Sequence, residues 1–210
     1  VNLNFKYKSS KSSVQNELIF INNENFKFLN IKIDRKTVLK SEVFAEKKIL
    51  LKNYSNQNFI FVNCINCKKA TDFEKIGSSL FDFLKHNKIE NSSINSKSIK
   101  LTKIQMERIL HGALLKSYSF EIYKTKKNNK FININYIGKN NKNKLRNKLN
   151  ALAAGIFLTR DLVSEPGNIL HPDEYAKRIT MLRKIGIKVT VYDKKKLKKM
   201  GCGALLGVGQ

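Results

Sequence analysis

The sequence predicts an α/β fold in which helices cover a sheet, and three observations carry that prediction. Short apolar runs bounded by polar residues, such as NFIFVNC at 58–64, have the length and flanks of buried strands. Elsewhere apolar residues recur three and four positions apart, as they do on one face of a helix. The two patterns alternate along the chain, and alternating strands and helices favour a layered α/β architecture.

Up to about residue 58 the pattern is one of short β-like segments broken by Asn and Ser, among them ELIFI (17–21) and FKFLNIKI (26–33). After the strand at 58–64, Phe73, Ile76, Leu80, Phe83 and Leu84 fall on one helical face, giving a strand, loop and helix in succession. A second helix is expected from about Thr102, with Met106, Ile109, Leu110, Ala113 and Leu114 on its apolar side. A charged turn leads to FININYIG (131–138), where Ile132, Ile134 and Tyr136 alternate as in a strand. The polar stretch KNNKNKLRNK (139–148) reads as a boundary.

Beyond it, Leu145, Leu149, Leu152, Ile156 and Val163 make a helical stripe. Glu165-Pro166-Gly167 should stop that helix, because proline lacks an N–H and disfavours α conformation in the residue before it. His171-Pro172-Asp173-Glu174 should start the next: proline suits the first helical position, and acids in the first turn complement the helix dipole. Tyr175, Ile179 and Leu182 form its apolar face. IGIKVTVYD (185–193) alternates Ile187, Val189 and Val191 as a strand. Asp193 then caps KKKLKKM, Gly201 ends that short helix, and ALLGV (204–208) reads as a further buried strand.

Formal net charge is +25, from 41 Lys and Arg against 16 Asp and Glu. Such an excess draws a protein toward nucleic acid, anionic membrane or acidic partners. It is mostly lysine, comes with many Asn and Ile as AT-rich coding would produce, and is spread over the whole chain. Arginine, the residue preferred for bidentate base reading, is scarce. Three cysteines without a Cys ladder, and an N-terminus without an apolar signal-like segment, point to a reducing compartment and a cytoplasmic protein. The longest apolar runs are far shorter than the roughly 20 residues a membrane span needs, so no membrane partner is expected.

Several residues invite a chemical reading. Cys64 and Cys67 form a CxxC between strand and helix, where a helix N-terminus would lower a thiol pKa. A zinc site needs a second pair of ligands, and His86, His111 and His171 show no such spacing, so small half-buried cysteines explain the pair as well. Asp161 and Glu165 lie one helical turn apart, and Asp173 and Glu174 lie near His171, as a metal or acid/base cluster would. Arg160 and nearby lysines equally neutralise the first pair, and helix-start preference explains the second. The glycines of GCGALLG (201–207) fit neither the dinucleotide fingerprint nor the P-loop.

TRDLVSEPGNILHPDEYAKRI (159–179), IKVTVYD (187–193) and KKLKKMGCGALLGVGQ (195–210) together resemble the start of the catalytic domain of the leucyl (cytosol) aminopeptidases. Upstream, HGALLKSYSFEIYKTKK (111–127) resembles a segment near the end of that family's N-terminal domain. The resemblance implies a macro-domain-like N-terminal α/β domain over 1–140, a linking helix over 141–165, and the beginning of an α/β peptidase domain over 166–210. It implies a two-metal exopeptidase that releases N-terminal amino acids from peptides, with manganese or zinc as cofactor and a homo-hexameric assembly. The family's ligands sit on a Gly-Lys-Gly lysine, on aspartates of an Asp-Ser-Gly-Gly region, and on an Asn-Thr-Asp-Ala-Glu-Gly-Arg motif that also supplies a catalytic arginine. None of these maps onto residues 1–210, so no residue here inherits a catalytic, cofactor-binding or metal role, and the chain alone is expected to be inactive. His171 replaces a good N-cap residue, which predicts a cap weaker by about 0.5–1 kcal/mol. The alternative reading is a basic module that uses the same N-terminal domain to bind nucleic acid.

Overall fold

The computed structural model describes residues 2–8, 15–21, 49–54, 56–95, 101–126, 130–137 and 144–208. They divide into two compact units, Val1–Phe157 and Leu158–Gln210. The segment FKFLNIKI lies outside the described residues.

In the first unit the described elements are β1 (Asn2–Lys8), β2 (Asn16–Ile21), β3 (Ile49–Tyr54), β4 (Gln57–Asn63), α1 (Ala70–His86), β5 (Asn91–Asn95), α2 (Lys103–Lys116) and β6 (Phe131–Ile137), followed by α3 (Lys144–Ser164). The strands form one sheet in the order β1-β6-β5-β2-β4-β3. All neighbours pair in parallel except β3 and β4, an antiparallel hairpin at the edge. Asn56 turns that hairpin at φ 62°, a left-handed conformation that asparagine tolerates. This is the layered α/β fold that the alternating pattern predicts.

Strand β2 lies among parallel neighbours, and Leu18, Ile19, Phe20 and Ile21 are all buried, as expected of a strand covered on both faces. One face packs Leu18, Phe20, Ile60, Val62, Ile94, Ile132 and Ile134 against Phe73, Ile76, Leu80 and Leu84 of α1 and Met106, Ile109 and Ala113 of α2. The two helices cross closely because glycines sit at the contact. A Cβ on Gly77 would strike the Ile109 carbonyl oxygen, and one on Gly112 would strike the Glu74 carbonyl oxygen. At the start of α2, Thr102 and Gln105 close a capping box: Gln105 N donates to Thr102 Oγ1 (3.2 Å) and Thr102 N to Gln105 Oε1 (2.9 Å).

A row of asparagines crosses all six of these strands. Asn53 Nδ2 donates to Asn58 Oδ1 (2.8 Å), Asn58 Nδ2 to Asn16 Oδ1 (2.8 Å), and Asn16 Nδ2 to the Asn91 carbonyl (2.8 Å). From the other edge, Asn4 Nδ2 donates to Asn133 Oδ1 (3.3 Å) and Asn133 Nδ2 to Asn91 Oδ1 (3.1 Å). The register places Asn53 opposite Asn58, Asn58 opposite Asn16, Asn91 opposite Asn133, and Asn133 opposite Asn4. Matched amides at one level give each strand pair a polar key as well as its ladder, and a one-residue slip would turn that key to the other face.

The stripe expected on α3 is only partly used. Leu149 and Ala153 are buried, whereas Leu152 is half exposed and Val163 is 80% exposed. In the second unit α3 ends at Ser164, α4 spans Pro172–Thr180, and a 3-10 turn covers Met181–Ile185. Helices α5 (Lys194–Lys199) and α6 (Gly203–Val208) follow. Two expectations are corrected here. Residues 187–193 are not a strand: a strand exists by pairing, and no described segment of this unit lies extended beside it. The ALLGV run is helix α6, not a buried strand; Leu206 N donates to the Cys202 carbonyl (3.1 Å), and Leu205 and Val208 are exposed. Periodicity cannot separate short apolar runs of the two kinds, and Ala-Leu-Leu favours helix.

Candidate functional site

The break between α3 and α4 is built from backbone turns held by one arginine. Glu165 N donates to the Asp161 carbonyl (3.1 Å), and both Ile169 N and Leu170 N donate to the Pro166 carbonyl (2.9 Å each). His171 then stands at the N-cap of α4 with Pro172 behind it, and its side chain makes no capping bond. Asp173 and Glu174 occupy the first turn of α4. Arg178, one turn further along, reaches back. Its Nη1 donates to Glu165 Oε1 (2.6 Å) and its Nε to Glu174 Oε1 (3.1 Å). These two carboxylates raise the Arg178 pKa above the usual guanidinium range, the Glu165 hydrogen bond contributing most. Hydrogen bonds from Arg178 and Lys177 hold Glu174 below the usual carboxylate range. Sequence spacing exposes the Glu174–Arg178 pair at i,i+4. The Glu165–Arg178 pair, thirteen residues apart, depends on the turn and carries no local signal.

The other candidate residues do not converge. His86 is exposed at the end of α1, His171 is exposed at its cap, and His111 is buried on α2 with Nδ1 at 3.1 Å from Glu74 Oε1. Arg108 Nη1 donates to the same Glu74 oxygen (2.9 Å), so Glu74 joins α1 to α2 beside the glycine crossing. No local signal in the sequence marks Glu107, a buried carboxylate on α2 gripped by Arg146 of α3. Cys64 and Cys67 are free thiols in the β4–α1 turn. The hydrogen bond that the Cys64 thiol makes to Cys67, and then burial, push the Cys64 thiol up, against the lowering expected from a helix start.

Chemically, these groups position backbone and neutralise one another. Among the described residues no three His, Cys, Asp or Glu side chains gather closely enough to hold a metal ion. The described residues therefore do not fit the paired-metal centre implied by the resemblance. No helix among them is long and apolar enough to cross a membrane.

Comparison with known proteins bears on the same segment. The model of the cytosol aminopeptidase family, catalytic domain, matches residues 157–210, which contain the α3–α4 break and all of α4, α5 and α6. A probable cytosol aminopeptidase of Phytoplasma mali (strain AT) is 41% identical over 120 residues, covering 53% of this chain and 24% of the relative. One from Brucella anthropi is 35% identical over 150 residues, covering 66% of this chain and 30% of the relative. The chain thus spans 24–30% of the length of these relatives. Among solved structures, a mutant of tomato leucine aminopeptidase superposes with a TM-score of 0.68 at 15% identity, covering 95% of this chain and 46% of that one. The bottromycin maturation enzyme BotP in complex with Mn superposes with a TM-score of 0.65 at 14% identity, covering 90% and 40%. At that identity the superpositions speak for the fold, while the sequence matches speak for descent. Together with the motif at the α3–α4 break, they show that the chain belongs to the leucyl, or cytosol, aminopeptidase family.

Proposed function

We propose that this chain is part of a metal-dependent aminopeptidase, a hydrolase that releases N-terminal amino acids from peptides. The observation that carries the reading is the coincidence at 157–210. There the match to the catalytic domain of cytosol aminopeptidases falls on the arginine-held break and the three helices that follow it. In this reading residues 1–140 supply the N-terminal domain, 141–165 the linking helix, and 166–210 the entry into the peptidase domain. In the same reading two divalent ions, manganese or zinc, are held by a part of the whole protein outside residues 1–210. The manganese bound to the structurally similar BotP supports metal dependence. Cytoplasmic location and a homo-hexamer belong to the same proposal. Bound metal supplies a polarised carbonyl and a nucleophilic hydroxide near neutral pH. The contribution of residues 1–210 is positional: Arg178 ties α4 to Glu165 at the break that precedes it.

Activity separates the parts. The purified 210-residue chain, supplied with Mn²⁺ and a leucine anilide, should show no turnover above buffer; hydrolysis by it would overturn the assignment of the metal centre. The charge of +25 predicts salt-sensitive binding to nucleic acid without sequence preference. Preference for one duplex sequence retained at higher salt would instead favour the binding-module reading.

A further inference from the structure

The thiols of Cys64 and Cys67 take no part in the reading above, yet their setting is specific. Cys64 directly follows β4. Its N–H donates to the Ile21 carbonyl at the end of β2 (2.8 Å), and its carbonyl accepts from the Cys67 N–H (3.1 Å). That bond closes a turn over 64–67, and such a turn brings its first and fourth Cα atoms within about 7 Å. Disulfides bridge Cα separations of about 4.4–6.8 Å, so the backbone already brings the two residues close to bridging distance. The Asn63 side chain accepts from Ile65 N (3.0 Å), and Asp72 Oδ2 accepts from Lys68 N (3.0 Å) and Lys69 N (2.8 Å), which fastens the turn on both sides. The two thiols are joined by a hydrogen bond. Cys64 is 3% exposed while Cys67 is partly exposed, so Cys67 is the more accessible of the two to a reagent in solution.

We propose that Cys64 and Cys67 are a reversible dithiol–disulfide site, oxidised by low-molecular-weight disulfides of the glutathione class. The Cys67 thiolate attacks one sulfur of the oxidant RSSR. A Cys67–SR bond forms, the RS–SR bond breaks, and the departing thiolate takes a proton from solvent. Cys64 then gives its proton to solvent and attacks the Cys67 sulfur. The Cys64–Cys67 bond forms, and the second RS⁻ leaves and is protonated. Two protein thiols are oxidised by two electrons, and one RSSR is reduced to two RSH. The order follows from access and from the raised Cys64 pKa: Cys64 remains a thiol until the mixed disulfide stands beside it. Oxidation covalently closes the link between β4 and α1 at the C-terminal ends of parallel strands β2 and β4, where open α/β sheets place ligand sites.

The test equilibrates the whole 210-residue chain with a series of glutathione to glutathione-disulfide ratios, quenches with acid, alkylates, and measures intact and peptide masses. The expected product is two hydrogens lighter, with a bridge mapped to Cys64 and Cys67 and with Cys202 alkylated. Cys202→Ser should behave identically, and Cys64→Ser should stop at a mixed disulfide on Cys67. Three alkylated thiols at every ratio that oxidises a reference CxxC peptide would overturn the proposal. So would mixed disulfides alone in the unmutated chain, or a bridge to Cys202.

Discussion

Arg146 grips the Glu107 carboxylate with two parallel hydrogen bonds, Nε to Oε2 at 2.8 Å and Nη2 to Oε1 at 2.6 Å. The pair ties the first turn of α3 to the middle of α2, with side chains 19% and 5% exposed. Burial lowers the Arg146 pKa below the usual guanidinium value, the cost of taking this charge out of water. Arg146→Met removes both guanidinium hydrogen bonds from the buried Glu107 carboxylate and should cost about 3 kcal/mol, the lower end for a broken buried pair. Adding Glu107→Leu should recover much of that loss. Urea unfolding of the two single variants and the double variant checks the coupling; a loss in the double variant equal to the sum of the two single losses would show that the charges are independent.

The glycine crossing predicts opposite signs for one substitution. In a helix interior Gly→Ala gains about 1 kcal/mol of intrinsic propensity. At Gly155 a new Cβ meets nothing within 4 Å, so Gly155→Ala should stabilise. At Gly112 it meets Glu74 Cα at 2.7 Å, and at Gly77 it meets the Ala113 backbone N at 2.9 Å, neither of which can swing aside. Overpacking of this kind costs about 1–3 kcal/mol or more and outweighs the propensity gain. Thermal midpoints should therefore rise for Gly155→Ala and fall for Gly77→Ala and Gly112→Ala.

Asp72 gives the fold a dependence on acid. Its carboxylate accepts the Lys69 and Lys68 backbone N–H groups at the start of α1, and these bonds, with Lys75 and Lys69 nearby, hold its pKa below the usual value. A group whose pKa is lower folded than unfolded adds stability above its unfolded pKa, about 3.9 for Asp, and loses that contribution as pH falls below it. Asp72→Asn should leave a shallower loss of stability between neutral pH and pH ~3, where the unmutated chain falls more steeply. Urea midpoints across that range measure the difference. Identical slopes would remove Asp72 from the acid response.

Legibility in the sequence followed the strength of local signals. Strand β4 and helices α1 and α2 were readable because apolar residues such as Phe59 to Val62, Phe73 to Leu84 and Met106 to Ala113 carry clear periods. Strand β5, NSSIN, escaped notice because Ile94 is its lone apolar residue; it exists through pairing with β2 and β6. The abundance of asparagine read as coding bias, yet six asparagines form the polar row across the sheet, a relationship set by register and invisible in one dimension. Val189 and Val191 carry the alternation of a strand, but alternation without a neighbour to pair with leaves no ladder. At the α3–α4 break, Pro166 and Pro172 announced the stop and the start, while the Arg178–Glu165 contact that holds the break appeared only in three dimensions.

If residues 1–210 belong to the aminopeptidase proposed above, its metal ligands are encoded beyond the Gln210 codon. Reading the source gene past the Gln210 codon, together with the intact mass of the native protein, tests it most directly. The expected result is an open frame that continues into the lysine, the aspartates and the Asp-Ala-Glu-Gly-Arg motif, and a native mass well above 24.2 kDa. A stop codon directly after Gln210, with a native mass of 24.2 kDa, would contradict it and leave the aminopeptidase fold without its chemistry.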